Sequence, residues 1–332
     1  MATLKLGWCA MAAACLVVLA PPAATAANSA DADAQDDRSD RIADQSDAVD
    51  AAIRAEQQRG TANATAPPIQ KPFNIRIVAP LYYNSNAQEV RSGGTAALEG
   101  DPGLELGWSR RLTSVPLALS IRFRSDTDRY ANVPQADEDE MSTTFKVQYY
   151  NRDDDQALAP FVSYKATLMF DPTFSPWTQS KNDFAVGLTK AFYFDSRLHH
   201  LSGSARSGAD ADWGLTLTTS VQRRLRTPGA DSTALMATAA VSYLPTDMVD
   251  ISLGVTFRER WFDPVATSKA TVARRDFMAE PLLTLVWDLS RLAAGLPQVG
   301  FQVDFERKSS NIAAKSYSQW AVGPMISAGW RF

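Results

Sequence analysis

Val249-Asp250-Ile251-Ser252-Leu253-Gly254-Val255-Thr256-Phe257-Arg258-Glu259-Arg260-Trp261 decides how this chain folds. Val249, Ile251, Leu253, Val255, Phe257 and Trp261 fall on alternate positions. Asp250, Ser252, Gly254, Thr256, Arg258 and Arg260 fill the positions between them. Successive side chains of a strand point to opposite faces, so period two predicts a strand with one apolar and one polar face. Glu259 is the single intruder on the apolar side.

The same alternation spreads outward from this stretch. Val299, Phe301, Val303 and Phe305 oppose Gln302, Asp304 and Glu306. Leu117, Leu119, Ile121 and Phe123 oppose Ser120, Arg122 and Arg124, and Trp213, Leu215, Leu217 and Val221 oppose Thr216, Thr218, Ser220 and Gln222. Twelve segments read this way, near 73–83, 102–111, 115–125, 141–151, 159–170, 182–194, 212–226, 232–244, 248–262, 273–288, 297–308 and 316–332. No useful run of helical period interrupts them, which argues against an α/β fold. A soluble sandwich would also alternate. Strands of about ten residues match a tilted membrane crossing. Aromatic residues gather at the apolar strand ends, among them Tyr82, Tyr83, Trp108, Trp261, Trp287, Trp320 and Trp330, as interfacial girdles do. The expected fold is all-β, a closed antiparallel transmembrane β-barrel of about 12 strands; ten or fourteen strands are the alternatives.

Composition is consistent with export to a membrane. The chain has 332 residues, 45% of them hydrophobic, which suits a folded protein. Lys5, the apolar run Trp8 to Ala20 and Ala24-Thr25-Ala26 form a signal peptide over 1–26. That run is too short for a spanning helix, and no apolar run of about 18 residues occurs elsewhere. A lipoprotein signal at Cys15 is the rival, but apolar residues continue past it. Both cysteines, Cys9 and Cys15, are lost on cleavage. The mature chain then forms no disulfide in an oxidising compartment. Residues 27–70 carry nine acids against four bases and no aromatic residue, and read as an acidic, mostly disordered periplasmic tail. Ile42, Val49, Ala52 and Ile53 allow one weak amphipathic helix there, which would dock a periplasmic partner. Residues 71–332 are the barrel. A net charge of −4 argues against nucleic-acid binding.

The final stretch reads Trp320-Ala321-Val322-Gly323-Pro324-Met325-Ile326-Ser327-Ala328-Gly329-Trp330-Arg331-Phe332. Val322, Ile326, Ala328, Trp330 and Phe332 share a face. This strand resembles the C-terminal targeting strand of Gram-negative outer-membrane β-barrel proteins, a general class. The resemblance implies the outer membrane as location, with outer-membrane lipid and the barrel-assembly machinery as partners. It makes Trp330 and Phe332 the membrane-targeting residues.

Barrels of this class start and end in the periplasm. Loops near 84–101, 126–140, 171–181, 227–231, 263–272 and 309–315 are then extracellular. The turn at 195–211 is long for the periplasmic side. The segment Asp126 to Glu140 holds six acids and reads as a hydrated surface loop, with oxygen-rich Ca²⁺ or Mg²⁺ binding as the weaker alternative. His199 and His200, the only histidines, lie together in the 195–211 turn, away from any serine on a membrane strand. No G-x-S-x-G, P-loop or H-E-x-x-H motif occurs. An enzyme is not expected, and neither a cofactor nor a metal is.

The polar face belongs to the lumen, because a charge cannot face lipid cheaply. Arg122, Arg124, Arg224, Arg258, Arg260 and Arg274 are expected at similar depth near the outer end, with Asp304 and Glu306 as partial counter-charges. One outcome is a salt-bridged network that fills a narrow barrel. The other is an arginine constriction favouring anions, since planar guanidinium suits carboxylate and phosphate. The function expected is a porin-like channel passing small solutes, anionic ones by preference. A closed structural or accessory barrel is the alternative.

Overall fold

The computed structural model describes residues 72–201, 211–264, 273–293 and 296–332. The signal peptide and the acidic tail expected over 27–70 lie outside the described residues. Thirteen strands follow in chain order: β1 (Phe73–Asn84), β2 (Ala97–Gly100), β3 (Gly103–Arg111), β4 (Leu117–Tyr130), β5 (Glu138–Tyr149), β6 (Ala159–Phe170), β7 (Trp177–Phe194), β8 (Trp213–Thr227), β9 (Ser232–Thr246), β10 (Val249–Phe262), β11 (Arg275–Asp288), β12 (Gln298–Ser310) and β13 (Tyr317–Arg331). All pairings are antiparallel; from β4 to β13 each strand pairs with the next in sequence, β1 pairs with both β2 and β3, β4 pairs with the same two, and β13 returns to β1 from Asn74↔Arg331 to Asn84↔Ala321. The ladder is therefore closed and leaves no open edge, as spanning a membrane with strands requires.

β2 and β3 are two halves of one strand. Leu81↔Gly100 and Val78↔Gly103 lie in the same register on β1, as do Glu99↔Tyr130 and Gly103↔Asp126 on β4. Pro102 stands in the gap between the halves and has no N–H to give the ladder. The result is a closed barrel of twelve strands, one of them interrupted. At the seam, a Cβ added to Gly323 would lie 1.9 Å from the Leu81 carbonyl oxygen, so β1 and β13 close only because that position has no side chain.

Alternation along each strand sorts the two faces. On β12, Phe301, Val303, Phe305 and Arg307 are exposed while Gln302, Asp304, Glu306 and Lys308 are buried. On β10 the exposed residues are Ile251, Leu253, Phe257 and Trp261, four of the six apolar residues the sequence predicts on that face, with Val249 and Val255 half-buried. Large exposed apolar side chains occur on every strand except β4, whose outward Leu119, Ile121 and Phe123 are half-buried. Soluble monomers rarely expose a contiguous apolar patch beyond a few hundred Å²; a belt around the whole circumference suits lipid. Tyr83 packs on Trp320 at one end, ring centroids 5.2 Å apart, and Trp213 stacks on Tyr243 at 4.0 Å at the other. Glu259, the intruder on the apolar face, forms an ion pair with Arg275, whose guanidinium also lies over the Trp261 ring.

The interior is mostly polar, with Phe161, Met169, Met278, Leu282 and Met325 buried among the polar side chains. The small buried apolar cluster of Ala87, Ala97, Tyr130, Val133 and Ala136 sits at the end away from the termini, beneath the loops that follow β1 and β4. This is called the far end below, and the end holding Phe73 and Arg331 the near end.

Candidate functional site

The lumen has two zones. In the near half its wall carries hydroxyls. Thr189 and Thr218 approach to 3.3 Å between Oγ1 atoms, and Thr238 and Thr256 to 3.1 Å. Thr189, Thr216, Thr218, Ser220, Ser242 and Ser252 are half-buried. Phe161 lies over Gly187, and Lys146 Nζ sits 4.3 Å from the Phe161 ring centre.

In the far half the wall is charged and buried. Arg258 is 5% exposed, Arg260 4% and Glu306 0%. Burying charges is costly unless partners satisfy them, and partners are present. Arg224 donates to both oxygens of Asp183, Nε to Oδ1 at 2.7 Å and Nη2 to Oδ2 at 2.8 Å. Arg274 Nε lies 2.9 Å from Asp276 Oδ2, and Lys308 Nζ lies 3.7 Å from the same oxygen. Arg124 Nε is 3.0 Å from Asp126 Oδ1, with Asp101 at 3.6 Å from its Nη2. Lys165 Nζ is 3.6 Å from Glu140 Oε1. Glu306 accepts from Tyr317 Oη at 2.6 Å and Gln319 Nε2 at 2.9 Å. Asn84 Nδ2 donates to Glu99 Oε2 at 2.8 Å.

Period two fixes which side chains share this layer, and the stagger of a closed barrel sets their height. Arg224 on β8, Arg258 and Arg260 on β10, and Arg274 just before β11 are all buried toward the far ends of neighbouring strands. Arg122 and Arg124 do not reach that level. β4 runs on to Tyr130, so Arg122 lies mid-strand, half-buried, with Nε 3.8 Å from Glu105 Oε1. The far end of β4 presents Asp126 and Asp128 instead, both buried.

The segment 126–140 is therefore not a hydrated surface loop. Only residues 131–137 connect the strands, and Asp126, Asp128, Glu138 and Glu140 sit buried on the lumen wall. The expected excess of positive charge falls with it. Glu99, Asp101, Asp183 and Asp276 join those four carboxylates, and Arg226, Lys181 and Lys308 join the cations; all are buried. Of the missed residues, Asp126 and Asp128 continue the alternation that Arg122 and Arg124 begin on β4. Among the described residues no group of three or more His, Cys, Asp or Glu side chains could hold a metal ion.

At the near end, His199 Nδ1 lies 3.3 Å from Asp195 Oδ2 in an exposed turn. The His199 backbone N–H, a second N–H from Arg197 and the neighbouring imidazole hold the Asp195 carboxyl below its ordinary range. His200 Nε2 lies 2.9 Å from Gln156 Oε1, which also accepts from the Tyr193 N–H. The Gln156 amide donates to the Leu201 carbonyl, tying the β5–β6 turn to the segment after β7. Residues 202–210 of the long turn are outside the described residues.

No protein-family model matches this chain, and no curated protein matches it. Solved structures do. An outer membrane channel from Pseudomonas putida F1 aligns with TM-score 0.49 at 12% identity, over 81% of this chain and 98% of that one. The NanC porin aligns with TM-score 0.40 at 10% identity, over 76% and 98%. LpxR from Salmonella typhimurium aligns with TM-score 0.40 at 12% identity, over 76% and 99%. These are likenesses of architecture alone. The closed ladder and the apolar belt of this chain establish its fold, the closed antiparallel barrel of the outer-membrane class.

Proposed function

We propose that the protein is an outer-membrane channel passing small solutes by passive diffusion, with the buried charged layer as its constriction. The observation that carries this reading is the polar lumen. A barrel needed only as a wall could fill its interior with apolar side chains, whereas this one, a few apolar residues such as Met169 and Leu282 apart, lines it with hydroxyls and then with charge. Placing both chain ends in the periplasm, as barrels of this class do, makes the hydroxyl-lined half a periplasmic vestibule. Arg224, Arg258, Arg260 and Arg274 offer anions one wall of the constriction, and the Trp330 end of β13 lies at the periplasmic interface. A periplasmic partner for residues 27–70 fits the same orientation. The burial of Arg258 and Arg260 favours one second reading, a closed structural barrel.

Planar-bilayer recording separates the two. The purified full chain should give discrete conductance steps, and Arg258→Ala with Arg260→Ala should move the reversal potential in a salt gradient toward cations. A folded, inserted protein with silent current would establish the closed barrel.

A further inference from the structure

The charge in the far half of the lumen is sorted by sides. On the wall made by β2, β4, β5 and β6, the six buried carboxylates of Glu99, Asp101, Asp126, Asp128, Glu138 and Glu140 stand with two cations, Arg124 and Lys165. On the wall made by β7 to β11, the six cations Lys181, Arg224, Arg226, Arg258, Arg260 and Arg274 stand with three carboxylates, Asp183, Asp276 and Glu280. β12, beside the basic wall, adds the buried Asp304, Glu306 and Lys308, which narrow the cationic excess there without reversing it. The local pairs on each wall still leave one side acidic and the other basic.

The two sides face each other. With β2 and β3 counted as one strand, β4 and β10 are six positions apart in a ring of twelve. That is half the circumference. The pairings carry Asp126 to Glu140 of β5, and onward round the ladder. Following them with the stagger that closure requires brings Asp126 level with Arg258, and Asp128 level with Arg260. A lumen walled by low-dielectric material screens such a separation weakly, so the field runs across the lumen rather than along it.

Resting on the channel reading, we infer that this layer selects small zwitterions, solutes with an ammonium at one end and a carboxylate at the other. Such a solute lies across the lumen, its carboxylate toward Arg258 and Arg260 and its ammonium toward Asp126 and Asp128. A simple anion meets attraction from one wall and repulsion from the other. A neutral solute of the same size gains nothing from either.

Glycine and its neutral isomer glycolamide supply the test, because they differ in charge distribution and hardly in size. Proteoliposomes of the full chain are made, and swelling in each solute is corrected for protein-free vesicles. Glycine should enter at least about threefold faster than glycolamide. The ratio should fall to about one in Arg258→Gln/Arg260→Gln and also in Asp126→Asn/Asp128→Asn. Equal wild-type rates, with salt conductance present, would overturn this inference and leave the channel standing. No entry of either solute, with no salt conductance, would overturn the channel and the inference together. The wild-type ratio decides the matter even if a variant fails to fold, which its gel mobility without boiling would reveal.

Discussion

Asp183 and Arg224 show how a single side chain holds the interior together. Both are 6% exposed and joined by two short hydrogen bonds. Removing one partner of such a pair leaves a buried charge with its solvation lost and its counter-charge gone. Asp183→Ala should destabilise the folded barrel by about 3–5 kcal/mol, measured as a shift of the guanidinium unfolding midpoint in detergent micelles. Asp183→Leu combined with Arg224→Met should recover most of that loss, because the desolvation cost of both ions goes with them. Asp263, in the loop after β10, makes the opposite case at the surface. Its carboxyl accepts from Arg223 Nη2 at 2.6 Å and Nη1 at 3.1 Å. Those bonds, with the guanidinium charge, hold it below the ordinary carboxylate range against a small opposing effect of burial. A depressed carboxyl stabilises the fold above its unfolded value of about 4, and that contribution disappears as pH falls through the lowered one. An NMR titration of Asp263 should place its midpoint below about 3.9, returning toward that value in Arg223→Ala.

Strands show what the sequence makes legible. β10 was readable from end to end because its outward residues are apolar wherever lipid covers them. β4 was readable only to Ser125. Beyond it the outward positions are Ser125, Thr127 and Arg129, so the amphipathic contrast fades although alternation persists. The wall continues past the lipid, and hydrophobicity marks only the part that lipid touches. Glu138 and Glu140 at the start of β5 were hidden for the same reason. The short β2 was hidden because it spans four residues and Pro102 cuts it from β3. The arginines are identifiable as lumen residues, and Asp183 and Asp276 fall in segments that read as strands, but Asp126, Asp128, Glu138 and Glu140 lie in a stretch that resembles a loop. The lipid face itself is testable on β10. Leu253 is 55% exposed on the outer surface. Leu253→Arg should cost about 2–4 kcal/mol if that position meets the bilayer interior. Ser252→Arg, on the hydroxyl-lined side, should cost under about 1 kcal/mol, since an arginine there reaches water. Unfolding of both variants in lipid vesicles gives the comparison.

At the scale of the whole molecule, closure, belt and lumen depend on one another. Closure removes the open edge, which lets every backbone group be satisfied without water. The belt faces lipid because each strand turns its apolar residues outward, and the charged layer exists because the same alternation turns the others inward. A soluble protein with this ladder would show the two faces reversed. Cysteine scanning from Val249 to Trp261 tests this most directly, since the chain's own cysteines, Cys9 and Cys15, both fall in the expected signal peptide. Each variant carries a fluorescent label in lipid vesicles and meets a bilayer-confined and a water-soluble quencher in turn. Labels at Ile251, Leu253, Val255 and Phe257 should respond to the bilayer quencher, and those at Ser252, Gly254 and Thr256 should not. Quenching of all positions from water, or the alternation in opposite phase, would contradict a barrel that turns its apolar face to lipid and its charge to the lumen.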